Sequence, residues 1–301
     1  MLHGIPILVK DNYETRGMPT TVGSVLFKGF APDRDAYLVS KLKNAGALLL
    51  GKTNMQEFAY GITNVGSIHG FTRNPYDPKR NPGGSSGGTG AAVAANFAVT
   101  GLGSDTCGSI RIPAAQNNLV GLRGTQGLMS RRGIFPLSST QDIGGPLTKS
   151  VRDLAIMLDQ MIGYDAKDTQ TAESFGHNFQ FLANLQTRTK VRIGLLSDWM
   201  EREEGDEDVA GVIRDTLTAM SEKVGWEIVE LESAELENSL DRPLEGYFVS
   251  AYDFKQDVNA YLGANPELGF ADLDELLAPK RHHPKVDLRT QKCVTMSSED
   301  E

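Results

Sequence analysis

The sequence predicts an α/β fold, and three stretches carry that expectation: a helix running into a strand over residues 35–50, a helix of small residues running into a strand over residues 86–104, and a strand, helix and second strand in succession over residues 191–231. Strand, helix and strand at that spacing form a crossover, which implies parallel pairing. In the first stretch Leu38, Val39, Leu42 and Ala45 share one helical face, Gly46 supplies the stop, and residues 47–50 read as a buried strand. Residues 86–98 are so small on every side that their helix must pack closely against something, and residues 99–104 continue as a short strand. Residues 150–162 open with a capping box in Ser150 and Asp153, place Leu154, Met157, Leu158 and Met161 at helical spacing, and stop at Gly163. Polar, pattern-poor residues 163–190 read as a long connection rather than a domain boundary. The crossover has strands at 191–196 and 226–231 and a helix at 206–224 with Val209, Ile213, Leu217 and Met220 inward. A further helix is expected over 244–262, with Phe248, Tyr252 and Val258 inward. No internal repeat is found.

Three hundred and one residues, 40% hydrophobic and 23% charged, suffice for a sizeable core and exclude wholesale disorder. Cys107 and Cys293 cannot build a disulfide framework or a four-ligand zinc site by themselves. No apolar run approaches a membrane span, and the opening MLHGIPILVKDN has neither the basic region nor the cleavage site of a signal peptide, so the expected location is the cytoplasm. The net charge of −9 argues against nucleic-acid binding, yet it conceals a split. Residues 1–150 carry 15 Lys and Arg against 8 Asp and Glu, and residues 151–301 carry 15 against 31. Glycine divides the same way, 23 of 32 lying in the first half, which reads as tight turns and close backbone approaches. The chemistry is therefore expected in the first half.

Two motifs there are decoys. Gly46 to Thr53 fits G-x-x-x-x-G-K-[ST], but the intervening Ala-Leu-Leu-Leu suits a strand rather than a loop that cradles phosphate. Gly84-Ser85-Ser86-Gly87-Gly88 fits G-x-S-x-G around Ser86, and His177, His282 and His283 lie downstream as possible bases. The Pro-rich residues 73–82 before it are no strand, and each histidine sits in polar surroundings that suit a surface residue.

Amide hydrolysis without a credible histidine can use a desolvated lysine as base, because burial favours the neutral amine. Lys10 follows the apolar run Ile5 to Val9, which should carry it into the interior; a lysine merely ending a strand is the rival reading. GIPILVKDN around Lys10, NPGGSSGGTGAAVAA around Ser85, and GSDTCGSIRIPAA around Ser109 together resemble the amidase signature family in type, order and spacing. GKTNMQEFA, TRNPYD and GLRGTQGLMSRRG extend that resemblance from Leu2 to about Asp165. It implies an α/β/α sandwich around a mostly parallel, twisted mixed sheet, within one amidase domain whose residues 1–165 form the catalytic core and 166–301 a peripheral α/β region. It further implies Lys10 as base, Ser85 as a bridging serine with a cis peptide bond, Ser109 as nucleophile, and no cofactor or metal. Ser86, Asp105 and Arg111 match positions that support the site. The residues suit these roles: the turn Thr106-Cys107-Gly108 before Ser109 can converge backbone N–H groups on an oxyanion, Ser109 adding its own, and the Ser85 hydroxyl can accept one proton while giving another. The implied partner is a small amide substrate, with a homo-oligomer or partner subunit possible; an amidotransferase subunit releasing ammonia, as in aminoacyl-tRNA synthesis, and an inactive interaction module are the alternatives.

Two departures stand out. Cys107 replaces a usual glycine, so a side chain intrudes on the oxyanion turn and is strained there if the position needs positive φ. Gly124 stands where the family commonly has proline. Family members usually extend beyond both ends of this chain, so it is expected to be an internal piece, and after DLDELL its last residues lose any pattern.

Overall fold

The structure, a computed structural model, describes residues 2–185, 191–200, 206–231 and 249–286. It divides into two compact units, Met1–Asn184 with Val249–Glu301, and Leu185–Phe248.

The first unit is built on a five-stranded sheet in the order β2 (Leu48–Thr53), β1 (Pro6–Lys10), β5 (Thr100–Asp105), β7 (Ile143–Thr148) and β6 (Val120–Gly121). β1 pairs in parallel with β2 and β5, while β7 runs antiparallel to both β5 and β6. Four of the five strands therefore share one direction, the mixed α/β architecture the sequence implies. A separate antiparallel pair is formed by β3 (Val65–Gly66) and β4 (Gly70–Phe71).

Alternation along β1 decides where its residues go. Ile7 and Val9 enter a core with Leu38, Val39 and Leu42 of α1 (Tyr37–Asn44) and with Leu154, Met157, Leu158 and Met161 of α4 (Val151–Met161). Leu8 and Lys10 therefore face the opposite side, which is covered by α2 (Gly87–Ala94), itself packed against α3 (Arg111–Gln116). Small residues make this second packing possible. A Cβ on Gly88 would lie 2.1 Å from the Asn54 carbonyl oxygen, and one on Gly101 would lie 2.5 Å from Thr89 Cγ2. α2 stops short of the predicted residue 98 because Asn96 turns left-handed at φ 65°. The predicted cap of α4 is present: Asp153 N–H donates to Ser150 Oγ at 3.1 Å.

A second core gathers Phe27, Phe30, Phe58 and Phe135, closed by Phe254, Val258 and Leu262 of α6 (Val249–Ala264) and by Leu273 and Leu276 of α7 (Leu273–Leu277). The inward face of α6 corrects the sequence reading. Ala251, Phe254, Val258 and Leu262 repeat every three or four residues, whereas Tyr252 falls off that stripe and is exposed; Phe248 lies outside the described residues. β2 also differs from the buried strand expected, since it borders the sheet and leaves Leu48 and Leu50 exposed.

In the second unit β8 (Arg192–Leu195) and β9 (Glu227–Glu230) pair in parallel, with α5 (Glu207–Val224) between them in sequence, as the crossover predicts. α5 ends at Gly225, which adopts φ 69°. Only Ala210 is buried on α5, so Val209 and Ile213, expected inward, are exposed. No helix among the described residues is long and apolar enough to cross a membrane.

Candidate active site

Lys10 ends β1, between β2 and β5, and is fully buried, beside the turn that leads into α2. Its Nζ lies 2.7 Å from Ser85 Oγ and 2.8 Å from Ser104 Oγ, with the Ser104 carbonyl oxygen at 3.5 Å. Among the described residues no carboxylate hydrogen-bonds to it. Burial lowers its pKa from 10.5 to about 7, against the charges of Asp142 and Asp105, which raise it. Its amine is thus poised between charged and neutral forms near neutral pH.

Ser85 follows a cis peptide bond from Gly84, and its carbonyl accepts the Gln56 N–H at 3.1 Å. Ser86 is bound at both ends: its N–H donates to the Ser109 carbonyl at 3.2 Å and its hydroxyl to the Ser104 carbonyl at 3.1 Å. The Ser85 and Ser109 turns are thereby drawn together, though no hydrogen bond joins the two side-chain hydroxyls among the described residues.

Asp105 organises the turn that carries Ser109. Its buried carboxylate accepts N–H groups from Gly108 (2.7 Å), Ile110 (3.0 Å) and Arg111 (3.3 Å), and both Arg111 and Arg123 pair with it. Burial works to raise the Asp105 pKa, but the Arg111 hydrogen bond, the Ile110 and Gly108 N–H groups and the Arg111 charge prevail and hold it below the ordinary carboxylate range. The Gly108 N–H, expected to face an oxyanion, is therefore already engaged. The N–H groups of Cys107 and Ser109 find no acceptor among the described residues. Positive φ falls on Gly108, at 123°, and not on Cys107, so the strain anticipated for cysteine does not arise. The Cys107 side chain is exposed rather than pressed into the turn.

A family model for amidases matches residues 1–298. The chain belongs to the amidase family. It is 40% identical over 250 residues to the A subunit of glutamyl-tRNA(Gln) amidotransferase from Saccharolobus solfataricus, an alignment covering 83% of this chain and 50% of that protein. Native peptide amidase from Stenotrophomonas maltophilia superposes with a TM-score of 0.79 at 35% identity, covering 97% of this chain and 58% of that one. The A subunit of the Thermotoga maritima glutamyl-tRNA(Gln) amidotransferase superposes with a TM-score of 0.69 at 30% identity, over 93% and 67% of the two chains. The chain thus spans about half the length of the first curated relative.

Both decoys dissolve in the structure. Gly51, Lys52 and Thr53 belong to β2 and pair with β1, so they form no phosphate loop. Ser86 is fully buried with its hydroxyl committed to Ser104; His177 is exposed beside Phe179, whereas His282 is buried, against the surface placement expected of it. Sequence reasoning missed four polar residues of the candidate site: Asn12, Ser104, Arg123 and Asp142. Asn12 Nδ2 donates to Ser104 Oγ at 3.0 Å, and Arg123 donates to the Asp105 and Gln141 carbonyls. Asp142 accepts the Thr106 hydroxyl and the Leu137 and Ser138 N–H groups. Burial raises its pKa, while Thr106, those N–H groups and Lys10 oppose the rise. Asn12 and Ser104 lie within the matched motifs and could have been suspected; Asp142 could not, since only folding brings it to Thr106. Among the described residues no group of three His, Cys, Asp or Glu side chains is placed to hold a metal ion.

Proposed function

We propose that this chain carries the chemistry of an amide hydrolase, with Lys10 as base, Ser85 as proton bridge and Ser109 as nucleophile. The observation that carries this reading is the fully buried Lys10 amine, 2.7 Å from Ser85 Oγ and with its pKa lowered to about 7. The neutral amine takes the Ser85 proton as Ser85 takes that of Ser109, and Ser109 Oγ adds to the amide carbon. Backbone N–H groups at Cys107 and Ser109 stabilise the oxyanion, while Thr106 and Gly108 shape the turn and Asp105 with Arg111 hold it. Return of the proton to the nitrogen releases ammonia or an amine, and water then hydrolyses the acyl-enzyme through the same groups. Residues 1–165 supply the chemistry.

Reaction with a fluorophosphonate tests the reading. Labelling of Ser109 that disappears in Ser109→Ala and slows sharply in Lys10→Ala supports it; equal labelling of wild type and Lys10→Ala overturns it. The relatives that are A subunits of glutamyl-tRNA(Gln) amidotransferases favour a second reading, in which the released ammonia serves a partner enzyme on glutamyl-tRNA. Ammonia release from glutamine that depends on ATP and on a partner subunit distinguishes the two.

A further inference from the structure

Three oxygen atoms surround Lys10 Nζ: Ser85 Oγ at 2.7 Å, Ser104 Oγ at 2.8 Å and the Ser104 carbonyl oxygen at 3.5 Å. An ammonium could donate to all three. A neutral amine has two N–H groups and one lone pair, so one neighbour must turn round and donate to it. The Ser104 carbonyl can only accept, and Ser104 Oγ also receives Asn12 Nδ2 at 3.0 Å. Asn12 is itself buried, and its Oδ1 has no hydrogen-bond partner among the described residues. Rotation of that amide would offer the Ser104 hydroxyl proton an acceptor at the same 3.0 Å, because the two amide ends are interchangeable in shape. With the amide so rotated Asn12 takes the Ser104 hydroxyl proton, and Ser85 remains the neighbour free to donate to the lone pair.

We infer that Ser104 is a positioning residue: by taking an N–H of the Lys10 amine on its hydroxyl, braced by Asn12, it aims the Lys10 lone pair at Ser85. The inference rests on the proposed lysine base and adds to it the device that sets the direction of proton flow. Sequence supports the placement, because Ser104 is the second-to-last residue of β5 and Asp105 its last, so one strand end positions both the base and the nucleophile turn. The charged groups bearing on Lys10 are Asp142 ahead of β7 and Asp105 at the end of β5; Lys52 on the neighbouring β2 is held by Asp11.

The test is the rate of fluorophosphonate labelling against pH in the wild type and in Ser104→Ala, Ser104→Thr and Lys10→Ala. In that reaction Ser109 Oγ bonds to phosphorus, fluoride leaves, and the Ser109 proton passes through Ser85 to Lys10. Ser104→Ala is expected to lower the plateau rate about 10- to 100-fold, less than the roughly 100- to 10,000-fold ascribed to a general base itself, because the base remains and only its aim is lost. It should also move the acid limb to lower pH, because an ammonium loses more than a neutral amine when an acceptor is removed. Ser104→Thr, which keeps the hydroxyl, should restore both. A purely structural serine would change the yield of folded protein while leaving rate and limb per folded molecule unchanged, and that result overturns the inference. If Ser104→Ala does not fold, Ser104→Cys, with a poorer acceptor, carries the same comparison. Wild-type labelling in both Lys10→Ala and Ser104→Ala would instead remove the lysine base itself.

Discussion

Two lysines on adjacent strands of one sheet lie close to the same interior and come to opposite ends. Lys10 and Lys52 lie one residue out of register, Val9 being opposite Lys52 and Lys10 opposite Thr53. Burial lowers the pKa of both. Lys52 keeps a carboxylate: its Nζ is 2.9 Å from Asp11 Oδ1, a charge contact rather than an aligned hydrogen bond, and it also donates to the Tyr13 carbonyl at 2.8 Å. Lys10 has hydroxyls and a carbonyl around it and, among the described residues, no carboxylate in contact. Burial alone therefore does not make a base. A lysine that must lose its proton has to be denied an adjacent anion while keeping hydrogen-bond partners that tolerate either charge state.

The largest effect that would break this contrast is at Ser109, the proposed nucleophile. Ser109→Ala is expected to abolish turnover, and Lys10→Ala and Ser85→Ala to lower kcat by about two to four orders of magnitude. Steady-state rates on a chromogenic amide check all three, and retention of rate in Lys10→Ala would leave both lysines structural. The pH profile sharpens the same point. If neutral Lys10 is the base, as proposed, with burial lowering its pKa to about 7, the rate should fall tenfold per pH unit well below that value and level off above it. A profile flat from pH 5 to pH 9 would contradict it.

Lys52→Met is expected to act on stability instead, leaving Asp11 buried without its cation and costing about 3 kcal/mol. Denaturant unfolding measures that loss, and the rate of the variant that remains folded should stay near wild type. A large fall in kcat without loss of stability would erase the distinction between the two lysines. Cys107→Gly has the smallest expected consequence. With positive φ carried by Gly108 and the thiol exposed, turnover should stay within about twofold. A tenfold rise would show that the side chain obstructs the oxyanion turn after all.

Much of this was legible in the residues because their physics is local. The apolar run before Lys10, the capping box at Ser150 and the small residues of α2 each act within a few positions, and each reappears in the fold. β2 was misread as buried because a run of leucines does not say whether the strand lies at a sheet border. Tyr252 was misplaced because the true inward stripe of α6 passes through Ala251 and Phe254, and only packing chooses between stripes. Asp142 reaches the site through the tertiary fold and lies in no quoted motif, whereas Arg123 lies within GLRGTQGLMSRRG. Lys10 itself was named from motifs of high specificity, but its escape from a carboxylate became visible only when Ser85 and Ser104 came together around it.

The aromatic core has a consequence in time. Phe27, Phe58 and Phe135 belong to the first half of the chain, while Phe254 packs on Phe58 and Tyr261 on Phe135. On a ribosome, roughly 120 further residues must be made after Phe135 before Phe254 exists, which takes on the order of ten seconds at ordinary rates of synthesis. Throughout that interval the nascent chain holds a cluster of phenylalanine rings with their covering helix still unmade. Molecular chaperones that recognise apolar segments therefore have a defined target and a defined window, which closes when α6 emerges.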